Sequence, residues 1–103
     1  MSVALKLKNN VLTILIKGEI DHHTAPAIRE SIDDAIAVNC NANLVILDFS
    51  GVSFMDSTGI GMLLGRYNKF TKNDISIFIK NPTSYVNRIF EMTGIYQIIP
   101  KVC

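Results

Sequence analysis

The sequence predicts an α/β fold built on a mixed, mostly parallel sheet with an antiparallel strand at its N-terminal edge, and three observations carry that expectation. Apolar residues alternate every second position at the start of the chain, recur at helical spacing from Thr24, and exchange the two patterns to the end. Leu44 to Phe49 (LVILDF) is almost continuously apolar, the pattern of a central strand covered on both faces. Strands that alternate with helices also imply right-handed crossovers between parallel neighbours.

Taken in order, Val3 to Lys8 alternates like a half-buried strand, and Asn9-Asn10 tolerates the positive φ of a tight turn. Val11 to Lys17 then resumes with Leu12, Ile14 and Ile16 on one face, completing an opening hairpin. Beyond Thr24, the expected N-cap with Pro26 allowed in the first turn, Ile28, Ile32, Ala35 and Ile36 form one helical stripe. The strand Leu44 to Phe49 leads into an expected loop over Ser50 to Asp56. Ile60, Leu63, Leu64, Tyr67 and Phe70 then recur at helical spacing as core residues, until Asn73-Asp74 breaks the pattern. Ile75 to Ile79 reads as a strand. Pro82 and Thr83 introduce a third helix with Val86, Ile89 and Phe90 inward, Gly94 ends it, and a last extended piece is expected around Tyr96 to Ile99. The order is ββαβαβαβ, within one domain over residues 1–103.

Composition removes several classes of function. At 49% hydrophobic and 18% charged residues over 103 positions, the chain has the makings of a packed core and not of a disordered segment. A net charge of +1 lacks the basic excess of a protein held by nucleic-acid phosphates or anionic lipid. No apolar run approaches the roughly 20 residues of a membrane span, and residues 1–10 carry Lys6 and Lys8 where a secretory signal would be continuously apolar. Cys40 and Cys103 have neither CxxC spacing nor the density of a stapled fold, so they read as reduced thiols of a cytoplasmic protein.

In such sheets ligands and partners meet the loops at the carboxyl ends of the strands, here Gly18 to His23, Ser50 to Ser57, and Lys80 to Thr83. The middle one is chemically the most unusual. Asp56, Ser57 and Thr58 set a carboxylate and two hydroxyls at a helix start, followed by Gly59, Gly61 and Gly65. A helical glycine costs roughly 1 kcal/mol relative to alanine, so three need a reason. Either they allow close packing of helix on sheet, or a bare backbone lets a partner protein bring its own active site to the Ser57 hydroxyl. Asp56 and Ser57 have two readings as well. They are good capping residues, and a helix N-terminus is also a tolerable place for a phosphate.

With these residues in view, the stretches Gly18 to Ala25 (GEIDHHTA) and Leu47 to Tyr67 (LDFSGVSFMDSTGIGMLLGRY) resemble the STAS domain of bacterial anti-sigma factor antagonists, most closely the sporulation branch of the sigma-F pathway. The likeness spans nearly the whole chain, and the segment from Asp56 to Gly61 is its most specific part. The resemblance implies a single STAS-like domain without catalytic residues, metal or cofactor. It implies that Ser57 is phosphorylated by the anti-sigma factor, a serine kinase that uses ATP, and dephosphorylated by a PP2C-type phosphatase. The unphosphorylated form would bind the anti-sigma factor and release the sigma factor. Thr58 stands where family members often have serine. On this reading Asp56 caps the helix, and Asp56, Ser57, Thr58, Gly59 and Gly61 form the partner surface. Asp21 either completes that surface or serves as a turn residue, and a monomer is expected.

Rival readings meet specific obstacles. His22 and His23 beside Asp21 suggest a metal, yet adjacent histidines are expected to diverge and no second cluster completes a shell. A Ser57, histidine, Asp21 hydrolase lacks the Gly-x-Ser-x-Gly elbow and an oxyanion-hole segment. The glycine series misses the dinucleotide spacing, and no Walker lysine follows. A phosphoaspartate receiver would use Asp48, expected at the end of a central strand, but the first strand ends in Lys6-Leu7-Lys8 without the acidic pair that holds magnesium. The remaining alternative is a STAS interaction module of another assembly, such as a stressosome or a transport complex.

Overall fold

The computed structural model describes residues 2–39 and 41–102. Cys40 and Cys103, expected as reduced thiols, lie outside the described residues. The elements are β1 (Ser2–Lys8), β2 (Val11–Ile20), α1 (Ala25–Val38), β3 (Leu44–Met55), α2 (Ser57–Lys72), β4 (Ser76–Lys80), α3 (Ser84–Thr93), a 3₁₀ turn at Ile95–Gln97, and β5 (Lys101–Val102). They form one sheet in the order β1-β2-β3-β4-β5. β1 is antiparallel to β2, through a turn in which Asn9 and Asn10 take φ of 52° and 66°, and the remaining pairs are parallel.

Each crossover advances one strand in the same direction, so right-handed connections place α1, α2 and α3 on one face of the sheet. The core lies beneath them. Leu12, Ile14 and Ile16 of β2, Val45, Leu47 and Phe49 of β3, and Ile77 and Ile79 of β4 are buried against Ile28 and Ile32 of α1, Leu63 and Phe70 of α2, and Val86 and Phe90 of α3. The expected double coverage of LVILDF is therefore corrected. β3 is the central strand, but its alternate residues Leu44, Ile46 and Asp48 are only half-buried, because among the described residues no helix crosses the second face. Ile60, Leu64 and Tyr67 also pack at the margin of the core and not inside it.

An edge-to-face series fastens α3. The Phe49 and Phe90 rings lie 5.3 Å apart at 79°, and Phe90 and Tyr96 lie 5.6 Å apart at 77°, contacts typically worth about 0.5–1.5 kcal/mol each. The extended piece expected around Tyr96 to Ile99 is instead a helical turn. Gly94 takes φ 73°, and the Ile99 amide donates to the Ile95 carbonyl at 2.8 Å. Ile95 and Ile99, both buried, thus obey helical and not strand spacing. The last strand follows them, Lys101 and Val102 pairing with Ile79 and Lys80.

Candidate functional site

The largest departure from the sequence reading falls where it matters most. The expected loops over Gly18–His23 and Ser50–Asp56 are mostly strand: Lys17 pairs with Gly51, Gly18 with Val52, Glu19 with Phe54 and Ile20 with Met55. Two register shifts, at Leu15/Lys17 and Gly18/Glu19, interrupt the alternation and hide this extension from a period-two reading. Gly51 is needed there, since an added Cβ would stand 2.7 Å from Lys17 Cγ and 3.1 Å from the Ile16 carbonyl oxygen. Asp48 consequently sits mid-strand, with its Oδ1 accepting from the Ser50 amide at 2.9 Å. It lies away from the strand-end loops a receiver would use.

The extension narrows the β3–α2 connection to Asp56 alone. The Asp56 amide donates to the Ile20 carbonyl at 3.2 Å, and its carboxylate Oδ1 accepts from the Thr58 and Gly59 amides at 2.9 and 3.3 Å. Asp56 is the N-cap, as expected. Ser57 is the first residue of α2 and exposed, and Thr58 beside it is exposed too. The Asp56 carboxylate thus takes two of the free amides at the start of α2.

Asp21 organises the neighbouring connection. Its Oδ1 accepts from the His23 amide at 2.8 Å and the Thr24 amide at 3.0 Å, and its own amide donates to Thr24 Oγ1. The Thr24 amide is the main influence holding the Asp21 carboxyl below the ordinary carboxylate range, with desolvation opposing it and the His23 amide adding to it. Thr24, expected to cap α1 by its side chain, instead donates its hydroxyl to the Glu19 carbonyl at 2.8 Å, tying the turn back to β2. The His22 and His23 rings lie 4.4 Å apart and do not diverge, and among the described residues no third ligand-type side chain joins them.

The glycines separate into two kinds. Gly59 is buried, and a Cβ on it would come within 2.7 Å of Met55 Cγ and 3.0 Å of Ile20 Cγ2, so its bare α-carbon is explained by packing inside the domain. Gly61 and Gly65 have nothing within 4 Å of such a Cβ. They line an open groove of about 410 Å³ between α1 and α2, with His22, Arg29, Thr58 and Arg66 around it. Arg66 and Lys69 hold α2 to α1 through Asp33 Oδ2 at 2.8 and 3.3 Å.

The third strand-end loop, at Asn81–Thr83, contributes a feature the sequence reading missed. Thr83 Oγ1 donates to the Val52 carbonyl at 3.2 Å, and Tyr85 stacks on Phe54 with ring centroids 6.0 Å apart. Both rings are exposed beside the start of α2. Only the Phe54-Met55-Asp56 order ahead of Ser57 could have signalled it, and only once Phe54 was placed on a strand.

The family profile described as "STAS domain" matches residues 2–103. Among curated proteins, the chain is 29% identical over 97% of its length to the anti-sigma F factor antagonist of Paenibacillus polymyxa, covering 85% of that protein. It is 31% identical over 96% of its length to the anti-sigma-B factor antagonist of Bacillus subtilis strain 168, covering 88% of it. Among solved structures it is similar to the anti-sigma factor antagonist SpoIIAA. The unphosphorylated form superposes with a TM-score of 0.79 at 28% identity over 99% of this chain and 89% of that one. For the phosphorylated Bacillus form the TM-score is 0.70 at 27% identity, over 99% and 92%. The sigma-F and sigma-B relatives are matched to nearly the same degree.

Proposed function

Because the chain belongs to the STAS domain family, we propose that it is an anti-sigma factor antagonist, a cytoplasmic protein-binding switch of the sporulation, sigma-F type that is controlled at Ser57. Unphosphorylated, it docks the anti-sigma factor and so frees the sigma factor. The anti-sigma factor, acting as a serine kinase with ATP, phosphorylates Ser57, and a PP2C-type phosphatase reverses the step. The chain itself performs no catalysis. Relatives matched along nearly the whole chain include anti-sigma factor antagonists, and SpoIIAA is known in phosphorylated and unphosphorylated forms.

The observation that carries the reading is the exposure of Ser57 at the first position of α2, with Asp56 fixing the turn and Gly61 leaving the next turn bare. A kinase needs a hydroxyl that projects from a fixed backbone and a surface that lets its nucleotide approach. Here Ser57 is held by a capped helix and Gly61 removes the obstacle one turn on. Asp21 belongs to this surface as the organiser of the adjacent turn, whereas Gly59 supports it from within.

The switch acts on binding, not on the fold. A phosphate at an exposed helix start typically gains about 0.3–1 kcal/mol, and repulsion from Asp56 opposes that gain, so the intramolecular balance is small. Across the interface the same phosphate meets the nucleotide phosphates of the kinase, and juxtaposed like charges there cost several kcal/mol, roughly a tenfold loss of affinity for each 1.4 kcal/mol. The experiment is calorimetric titration of phosphorylated and unphosphorylated protein against the anti-sigma kinase, with amide chemical shifts recorded on both forms. Unchanged affinity, or shifts spread through the core, would refute the mechanism. Which sigma factor is freed from its complex decides between the sigma-F and sigma-B branches.

A further inference from the structure

The sheet face opposite the helices has a composition that the switch at Ser57 does not use. Register places Thr13 and Leu15 of β2, Ile46 of β3 and Phe78 of β4 on that face, half-buried and, among the described residues, with no element over them. On one side stand Lys6 and Lys8 of β1, paired with Thr13 and Val11, and on the other stands Lys80 of β4, paired with Asp48. A shallow cavity of about 540 Å³ lies among these strands, with Lys6, Lys8, Lys80 and Asp48 on its walls. Among the described residues none of the three lysines makes an ion pair, and Asp48 bonds only the Ser50 amide. Lys6 and Lys8 are also charges that guard an edge strand against self-pairing. Lys80 is not, because β4 is an inner strand.

From this arrangement we propose that the open face is a docking site for an acidic amphipathic helix of another protein, with its apolar stripe on Leu15, Ile46 and Phe78 and its acidic flanks toward Lys6 and Lys80. The dimensions agree. β1 and β4 are separated by three strand spacings, about 14 Å, and a helix with its side chains is about 10–12 Å across, so both flanks of one helix meet lysine. About 14 residues, roughly 21 Å long, cover the strands lengthwise.

Two other occupants fit less well. A second copy would set Lys6 and Lys80 against the same lysines, which like-charge repulsion opposes. A lipid surface would cover the Asp48 carboxylate with hydrocarbon, leaving a charge without a partner, whereas a helix offers it a side-chain donor. The site is independent of Ser57, at the other face of the sheet.

The test uses the whole protein and a 14-residue peptide with leucines at helical spacing, glutamates on both flanks and one asparagine in the apolar stripe. Amide chemical shifts should move at Leu15, Ile46 and Phe78 on titration. The Lys6→Glu/Lys80→Glu variant, changed only at polar surface positions, should bind at least tenfold more weakly, with its unperturbed amide spectrum reporting that it still folds. The proposal is overturned if no shifts occur on this face, if they fall instead at Ser57 to Gly61, or if a lysine-flanked version of the peptide binds as well. It is equally overturned if phosphatidylglycerol vesicles shift these residues and the peptide does not, or if sedimentation shows a dimer that the double variant abolishes.

Discussion

The amide of Asp56 is hydrogen-bonded to the carbonyl of Ile20 at 3.2 Å, which couples the residue that caps α2 to the last residue of β2. Asp21, which follows Ile20 directly, spends its carboxylate on the turn into α1, so the starts of both helices are referred to the same pair of strand ends. Ser57 is thereby positioned by backbone on one side and by a capping carboxylate on the other.

The Ser57→Ala protein should fold and bind the anti-sigma kinase but accept no phosphate, whereas Thr58→Ala remains a substrate. Incubation with kinase and ATP followed by phosphosite mapping decides it. Phosphate on Thr58 of the wild-type chain would move the switch by one residue.

Asp56→Ala removes a cap whose loss costs about 0.5–2 kcal/mol, and Asp56→Asn, which keeps an acceptor for the Thr58 amide, should recover most of it. Urea denaturation of the three proteins measures the order. An alanine variant as stable as wild type would mean that the carboxylate does not hold the helix start.

The two glycines of the first turns should respond in opposite directions. Gly61→Ala, in open space on an exposed helix face, should raise stability by about 0.5–1 kcal/mol yet leave kinase binding weaker, and Gly61→Leu should weaken it further. Gly59→Ala forces a contact with Met55 and Ile20 and should cost about 1–3 kcal/mol. Thermal melts paired with calorimetry separate the effects, and a large loss of Tm for Gly61→Ala would return that position to the packing reading.

Asp21 supplies a pH dependence with a defined sign. Its carboxyl titrates below the ordinary range in the folded protein, chiefly through the Thr24 amide, so the charged form favours folding. That contribution is present above the unfolded value, about pH 4, and is lost as pH falls through the lower folded value. Melts of wild type and Asp21→Asn should therefore differ most near neutrality and converge on the acid side. A gap in Tm that persists unchanged into acid would show that charge is not what Asp21 contributes.

The elements that pack by a single period were legible in the sequence. The hairpin at Asn9-Asn10, the stripes of the helices and the Asp56 cap follow from residue type and spacing, whereas Ser57 was singled out from Thr58 only by the family resemblance. The strand extension was not, because Gly18, Gly51 and the serines at 50 and 53 have turn-like composition while the pairing that orders them comes from distant residues. Two readings of the glycines could be separated only by geometry, since Gly59 and Gly61 differ in nothing but the face of α2 on which they fall. Tyr85 against Phe54 was likewise a contact between segments that no local pattern connects.

The strand order β1-β2-β3-β4-β5 has a consequence for how the molecule is made. Every strand joins the growing edge left by its predecessor, and none must be inserted between two already paired. Residues 11 and 44, partners in the first parallel pair, are close enough in the chain for α1 alone to bridge them, and loop-closure entropy rises only slowly with such separations. Synthesis from the N-terminus therefore presents the pieces in the order in which they are used. The growing sheet can assemble behind the ribosome, and its last addition is the two-residue strand Lys101–Val102.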